Sequence, residues 1–279
     1  MKSTCLFISA LLPLIAFSQN GDVWNDRYLQ DRGPGIPTSM FGTYIERGQL
    51  ILYPFWEYYY NPDAEYKPDE FGYGVDKDYR SEYRASEMLI FLGYGITDRF
   101  ALEVEAAGIS AELNKAPGDP SAMPSEIEES GLGDVQTQLN YYWLSETAHH
   151  PGAFSYFETV YPFNKNKTLT GTSDFEFKFG TGVIRGFSWG TLKARAGVEY
   201  TKADSKAELG EVALEYLKRV SNHWRALLAV EGTQDEVEFF TEAQYHLIKD
   251  RIIVKFNNGF GLTSKANNWA PEYGVMFIF

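Results

Sequence analysis

The feature that most constrains this fold is a repeated alternation of apolar and polar residues in segments of about ten residues. Side chains at successive positions of a strand point to opposite faces of a sheet, so each segment has one apolar and one polar face. Turn-forming residues separate the segments. The pattern predicts strands at residues 48–60, 83–96, 99–113, 132–145, 152–164, 174–186, 189–202, 207–220, 223–233, 236–248, 251–263 and 269–279.

The connections between these segments alternate in length. Long polar connections such as 61–82 and 114–131 are followed by short ones such as 97–98 and 249–250. Membrane barrels have long extracellular loops and short periplasmic turns in this order. A soluble β-sandwich also alternates its faces, but here the polar face is charged in many strands and the apolar face is large and aromatic. The sequence therefore predicts an all-β fold, an antiparallel transmembrane β-barrel of about twelve strands.

The first residues have the features of an export signal. Lys2 is followed by an apolar run from Cys5 to Phe17, and Ala16-Phe17-Ser18 places small residues where a signal peptidase requires them. The run is too short for a helical span of ~20 residues. We expect residues 1–18 to be a signal peptide, and the protein to reside in the outer membrane of a Gram-negative bacterium.

Between the signal and the barrel lies a polar stretch rich in glycine and proline. Residues 19–47 include Gly33-Pro34-Gly35-Ile36-Pro37 and are too turn-rich for a spanning strand. They are expected to form either a periplasmic lead or a small plug, before a barrel at 48–279. The stretches Ile51–Trp56 and Met88–Phe91 are apolar on both faces, which suits contact with an inward-folded segment.

The last strand ends in aromatic residues. Tyr273, Val275, Phe277 and Phe279 share one face, which looks like the closing strand of a bacterial outer-membrane barrel. Phe279 is accordingly expected to be the signal that the barrel-assembly machinery reads. Other expected partners are outer-membrane lipids, lipopolysaccharide and a small-molecule solute. The formal charge of −13 argues against nucleic acid, whose phosphates require a basic surface.

The charged face of the strands predicts the lining of the barrel. It is a mixed set with an acidic excess, consisting of Glu103, Glu105, Glu176, Lys178, Lys193, Arg195, Glu199, Glu211, Glu215, Arg225, Glu231, Glu236, Glu238, Glu242, His246 and Lys255. If the lumen is open, these charges predict a narrow channel with a mild preference for cations. Alternatively, the charges close the lumen by pairing, for example Lys193 or Arg195 with Glu176 on the adjacent strand.

Candidates for catalysis and metal binding are weak. His149, His150 and His223 fall in predicted periplasmic turns, and His246 lies beside Glu242 on one strand face. Such a pair is more often a hydrogen bond than a general base. The chain has no Cys or His cluster with the spacing of metal ligands, and its acidic loops lack the calcium-loop pattern. We expect no catalytic residues, no metal site, no cofactor and no enzymatic activity.

Three short motifs carry a resemblance to a known family. They are Pro34-Gly-Ile-Pro-Thr-Ser-Met-Phe-Gly-Thr-Tyr44, Leu92-Gly-Tyr-Gly-Ile-Thr-Asp98 and Gly131-Leu-Gly-Asp-Val135. Through these three motifs, the sequence resembles the outer-membrane proteins of the MetA-pathway of phenol degradation family. The resemblance implies a pore-like barrel that passes small, often hydrophobic or aromatic, compounds, and it implies no site residues.

The predicted function is therefore a channel or transporter for passive or facilitated passage of small molecules. One alternative is a structural or interaction barrel with a plugged lumen. A third interpretation is a membrane-embedded hydrolase, for which His246 is the candidate base.

Overall fold

The computed structural model describes residues 26–163, 167–203 and 205–279. The expected signal peptide lies outside this part of the chain, as do residues 19–25. Short 3-10 turns occupy Arg27–Leu29 and Pro68–Phe71. Within the described ranges, no helix has the length and apolar character needed to cross a bilayer.

Two short strands precede twelve long ones. The short strands are β1 (Ile36–Pro37) and β2 (Tyr44–Ile45), which pair with each other. The long strands form one closed antiparallel barrel and are β3 (Leu50–Tyr66), β4 (Tyr79–Gly95), β5 (Phe100–Asn114), β6 (Glu126–Leu144), β7 (Gly152–Tyr161), β8 (Glu176–Phe187), β9 (Gly190–Thr201), β10 (Lys206–Arg219), β11 (Trp224–Gly232), β12 (Val237–Ile248), β13 (Ile252–Gly261) and β14 (Ala270–Ile278). The predicted twelve-stranded antiparallel barrel is confirmed.

The ends of some strands differ from the prediction. β3 ends later than expected, at Tyr66. β4 and β6 begin earlier than expected, at Tyr79 and Glu126. The extra residues are mostly polar, yet they pair across the ladders, with Glu65 opposite Arg80 beyond a bulge and Asn114 opposite Glu126. Hydrogen bonding between strands therefore extends the sheet beyond its apolar belt.

The two ends of the barrel differ in their connections. One end, called the turn end, carries the segments 96–99, 145–151, 188–189, 220–223 and 249–251. The opposite end, called the loop end, carries 67–78, 115–125, 162–175, 202–205, 233–236 and 262–269. The longest connections lie at the loop end and most of the short ones at the turn end, as in membrane barrels.

The outer surface is an apolar belt between two aromatic girdles. Leu92, Val198, Leu228 and many other large apolar side chains on outward positions are exposed. At the turn end, Tyr141 contacts Trp143 with ring centroids 4.4 Å apart. Further ring contacts at the turn end are Phe187–Trp189 and Trp224–Tyr245, and those at the loop end are Trp56–Tyr273, Tyr58–Trp269 and Tyr161–Phe175. A belt of this kind is expected where a barrel meets hydrocarbon between two interfaces.

The barrel closes where β14 meets β3. Ile278 pairs with Ile51 and Gly274 pairs with Phe55, but the register gives no pair at Tyr53 or Pro54. Proline has no N–H to donate to a ladder, so it interrupts this seam. On its other side, Pro54 still lies opposite Ile90 in an unbroken run of pairs.

The longest loops pack on one another beyond the barrel. Tyr66 and Leu113 are buried there with Met123, and the Tyr66 hydroxyl donates to Asp119 at 3.0 Å. Burial raises the pKa of the Asp119 carboxyl, but hydrogen bonds from Ser121 and Tyr66 outweigh burial and keep it below the usual range. These contacts order the loop end on the side of β3 to β6.

The apolar belt predicts how the barrel responds to charge on its outer face. Leu228 lies midway along β11 and is 46% exposed. Leu228→Arg should destabilise the bilayer-inserted barrel by about 2–4 kcal/mol, because an arginine near the bilayer midplane loses its hydration. Denaturant-induced unfolding from phospholipid vesicles measures this free energy.

The matched control places the same side chain outside the belt. Val220 lies in a turn and is 68% exposed. Val220→Arg should cost about 0–1 kcal/mol, as found near interfaces. Equal costs for the two variants would contradict the assignment of the belt.

Candidate functional site

The lumen is the candidate site, and fifteen of the sixteen residues predicted to line it lie on strands of the barrel. Eight of them are buried, namely Glu103, Lys193, Arg195, Glu215, Arg225, Glu242, His246 and Lys255. Seven others are partly or fully exposed on strands, namely Glu105, Glu176, Lys178, Glu199, Glu211, Glu231 and Glu238. Glu236 differs from these because it lies in the connection before β12 and is exposed.

Residues 31–46 fold back into the barrel from its turn end, and β1, β2 and their connection are called the lumenal hairpin. Its tip reaches inward-facing side chains of several strands. Ser39 donates its backbone N–H to Glu103 at 3.0 Å and its hydroxyl to the same carboxylate. The Gly42 N–H donates to Glu215 at 3.0 Å, and Lys255 donates to the carbonyl of Phe41 at 2.9 Å. Buried wall charges thus bind the backbone of the hairpin.

Apolar side chains fill the space between the lumenal hairpin and the wall. Ile36 and Ile45 are almost fully buried in one cluster with wall residues such as Tyr53, Phe91 and Leu217. The cluster gives a physical reason why β3 and β4 are apolar on both faces near the turn end. One face meets the outer surroundings and the other meets the hairpin, so both faces gain from burying apolar area.

The turn end anchors the beginning of the hairpin. Arg32 and Glu146 form a fully buried ion pair at 2.8 Å, and Glu146 also accepts the N–H of Gly186 at 2.8 Å. The carboxylate of Asp31 accepts the N–H of Arg219 at 2.8 Å. At Gly186, a Cβ would lie 1.9 Å from the carbonyl oxygen of Tyr28, so only glycine allows this close approach.

Basic residues of the lumen are paired. Lys193 lies 2.7 Å from Glu215, and Lys255 lies 3.0 Å from Glu242. Arg195 pairs with Glu211 and Glu231, and Lys178 lies 3.2 Å from Glu158. These pairs cross between β7 and β8 and among β9 to β13.

The suggested pairing of Lys193 or Arg195 with Glu176 is wrong. Between β8 and β9, the register places Ile184 opposite Lys193 and Gly182 opposite Arg195. Glu176 lies opposite Thr201, far along the strand from either base. Glu215 instead lies directly opposite Lys193 across the β9–β10 ladder, which decides the pairing.

The lining predicted from sequence did not include four inward glutamates, namely Glu57, Glu87, Glu158 and Glu272. Glu272 accepts hydrogen bonds from the Tyr53 hydroxyl and, at 3.2 Å, from Asn257. The alternation around Tyr273 and Val275 would have placed Glu272 inside. For Glu57 and Glu87 that signal is obscured, because their strands are apolar on both faces.

Two further groups of reactive side chains are a buried histidine and a cluster of carboxylates at the loop end. His246 is 4% exposed, and its backbone N–H donates to the carbonyl of His223 at 2.8 Å. At the loop end, carboxylate oxygens of Glu112, Glu126 and Glu128 lie within 4.8 Å of one another. Among the described residues this is the only group of three or more candidate metal ligands that lie so close together.

Comparisons with known proteins agree with the fold. No family model matches the sequence, and no curated protein matches it. Among solved structures, the COG4313 outer membrane channel from Pseudomonas putida F1 is similar at 12% identity and a TM-score of 0.63, covering 88% of this chain and 100% of that chain. The translocator domain of autotransporter NalP from Neisseria meningitidis is similar at 9% identity and a TM-score of 0.51, covering 84% of this chain and 90% of that chain. The fold is therefore that of an outer-membrane β-barrel.

Buried pairing predicts how the lumen responds to loss of one base. Lys193→Met should destabilise the barrel by about 3–5 kcal/mol, because the buried Glu215 carboxylate loses its counter-charge. Adding Glu215→Gln should restore part of this loss, since an amide oxygen still accepts the Gly42 N–H. Unfolding from vesicles measures both changes.

An exposed pair provides the control. Lys206 and Glu208 form an ion pair with side chains 67% and 52% exposed. Lys206→Met should cost less than about 1 kcal/mol, as solvent-exposed pairs do. If Lys193→Met and Lys206→Met lowered the free energy of unfolding equally, the lumenal pair would stabilise the barrel no more than an exposed pair does.

Proposed function

We propose that this protein is an outer-membrane channel for the passage of small molecules, with a lumen narrowed by its hairpin. The observation that carries the proposal is a closed barrel with an apolar outer belt and a charged, partly solvent-exposed lumen. A sheet satisfies every backbone group within hydrocarbon only when it is closed. A polar lining is needed where water and solutes cross, and Glu57, Glu87 and Glu105 supply it above the hairpin.

The size of the barrel supports a small solute. Twelve strands enclose more space than an eight-stranded barrel, which side chains fill, and less than the 16–18-stranded porins. The lumenal hairpin reduces this space further at the turn end. The similarity in fold to a protein named as an outer membrane channel supports this proposal, as does the sequence resemblance to the MetA-pathway family, with its hydrophobic or aromatic solutes.

The orientation in the membrane follows the usual arrangement of such barrels. We place the turn end in the periplasm and the loop end outside the cell, because short turns face the periplasm in bacterial barrels. The outer belt then contacts lipid, and the loops reach the lipopolysaccharide layer. Phe279 lies 44% exposed beside Leu50, with its backbone hydrogen-bonded across the seam, and we retain it as the assembly signal.

A barrel closed by its hairpin is the second candidate function. It is favoured by the buried contacts of Ser39, Gly42 and Phe41 with the wall, which occupy the turn-end half of the lumen. In that case the protein would act as a structural or interaction barrel, with its packed loops meeting a surface partner. The two candidates differ in whether ions cross the resting protein.

Displacing the hairpin tip tests the proposal. Gly42 has φ of +59°, and a Cβ there would lie 2.5 Å from Gln244 Nε2 and 3.1 Å from Leu227 Cδ1. Gly42→Val should therefore force the tip away from the wall. In planar bilayers, we expect the natural protein to conduct ions and the Gly42 variant to show a larger single-channel conductance.

Gly48→Val is the matched control, because Gly48 also has positive φ but has open space around its Cβ position. It should leave the conductance near that of the natural protein. Current through the Gly42 variant alone would favour the closed barrel. If neither the natural protein nor the Gly42 variant conducts ions when folded and inserted, the proposal of a channel is wrong.

A further inference from the structure

The charges of the lumen are divided between two walls. Inward positions of β14, β3, β4 and β5 carry acids and no lysine or arginine; the acids are Glu272, Glu57, Glu87, Glu103 and Glu105. The inward bases all lie on the other strands, where carboxylates already pair with Lys178, Lys193, Arg195 and Lys255. The acidic wall therefore has an uncompensated negative charge.

Three of these acids form what we call the glutamate row. Glu272 lies directly opposite Glu57 across the β14–β3 seam, and Glu57 lies directly opposite Glu87 across β3–β4. Neighbouring strands are ~4.8 Å apart, so the row spans roughly 10 Å. Like charges directly opposite one another destabilise a sheet. An arrangement of this kind is stabilised when a cation lies against it.

The carboxylate oxygens of the row can accept more hydrogen bonds than the protein supplies. Glu272 accepts from the Tyr53 hydroxyl and from the Asn257 amide. Glu87 has no hydrogen-bond or ion-pair partner within the described ranges of the chain. Both Glu57 and Glu87 are only partly buried, so a solute in the lumen can reach them.

A buried amide oxygen next to the row lacks a hydrogen-bond donor. Asn257 is 5% exposed and lies between Glu242 and Glu272 in the register. Its Nδ2 donates to Glu272 at 3.2 Å, whereas its Oδ1 is buried with no donor. A buried acceptor without a donor destabilises the protein, because it has lost its hydrogen bonds to water. This amide oxygen points to a donor that a ligand would supply.

We propose that the glutamate row and Asn257 bind an organic cation with two ammonium groups, such as a linear diamine. Ammonium groups carry only donors, which match carboxylate and amide oxygens, and the positive charge offsets the repulsion within the row. Carboxylates repeated at strand spacing accommodate two separated charges. Three carboxylates converging within 4.8 Å, as a bare metal ion would require, occur in the described chain only at Glu112, Glu126 and Glu128.

This inference deepens the proposed function by naming a class of solute that the lumen prefers. It rests on an accessible lumen, but binding can be measured without any current across a membrane. A diamine that binds the row while the bilayer stays silent would leave the inference standing and the channel refuted. Current across the bilayer without diamine binding would support the channel and refute the inference.

Calorimetric titration of the folded protein in detergent tests the inference. The probes are putrescine, butylamine and butanediol, which share a four-carbon chain and differ in charge. Putrescine should bind most tightly, butylamine more weakly, and butanediol not at all. High salt should weaken the binding of putrescine, as expected for an interaction between charges.

The variant Glu57→Gln/Glu87→Gln removes two charges of the row and keeps side-chain size. It should bind putrescine about tenfold more weakly or worse, because charge-assisted hydrogen bonds are lost. Asn257→Leu tests the amide separately and should also weaken binding. Glu128→Gln, an exposed carboxylate at the loop end, is the control and should bind as the natural protein does.

Heat-modified mobility on gels verifies that each variant is folded. Removing like charges should leave the barrel as stable as before or more so, which protects the test from a folding defect. Binding of putrescine that is unchanged in the double variant, or equal binding of butanediol, would overturn the proposal. No measurable binding of putrescine to the natural protein would overturn it as well.

Discussion

Closure of the sheet is the constraint on which the rest of this structure depends. Backbone N–H and C=O groups within hydrocarbon must be satisfied inside the protein, and a sheet achieves this only without edges. The β14–β3 seam completes that requirement. Once the sheet is closed, the period of two along each strand places every second side chain outside and the others inside. The apolar belt and the charged lumen are therefore two consequences of one geometry.

The lumen combines two ways of handling buried charge. On β8 to β13, lysine and arginine side chains pair with carboxylates of other strands, and Arg195 meets two of them, on β10 and β11. On β14 to β5, acids meet hairpin backbone, tyrosine hydroxyls or amides, and some meet no partner in the described chain. Glu103, Glu215 and Lys255 hold the hairpin in place. The remaining acids without a basic partner supply the electrostatic preference that we propose for the lumen.

Much of the barrel could be predicted from sequence, because alternation is a local property of each strand. Strand ends such as Tyr66 could not, since polar residues beyond the belt extend the ladder without any apolar signal. The partner of Lys193 depends on register, which one sequence does not show. Glu57 was missed because Tyr53 and Phe55 face the hairpin, so both faces of β3 are apolar. Whether residues 31–46 lie inside depends on contacts with distant strands, which the glycines and prolines of this segment do not reveal.

The direct continuation of the lumenal hairpin into β3 has a consequence for competition. Only residues 46–49 separate β2 from the first barrel strand. The hairpin is thus a tethered ligand of its own barrel, and the tether makes its binding to the wall an intramolecular event with a high effective concentration. A displaced hairpin returns by a unimolecular step and cannot be diluted away. A solute that shares its contacts must overcome that local concentration, so only abundant or tightly binding solutes can keep the turn end open.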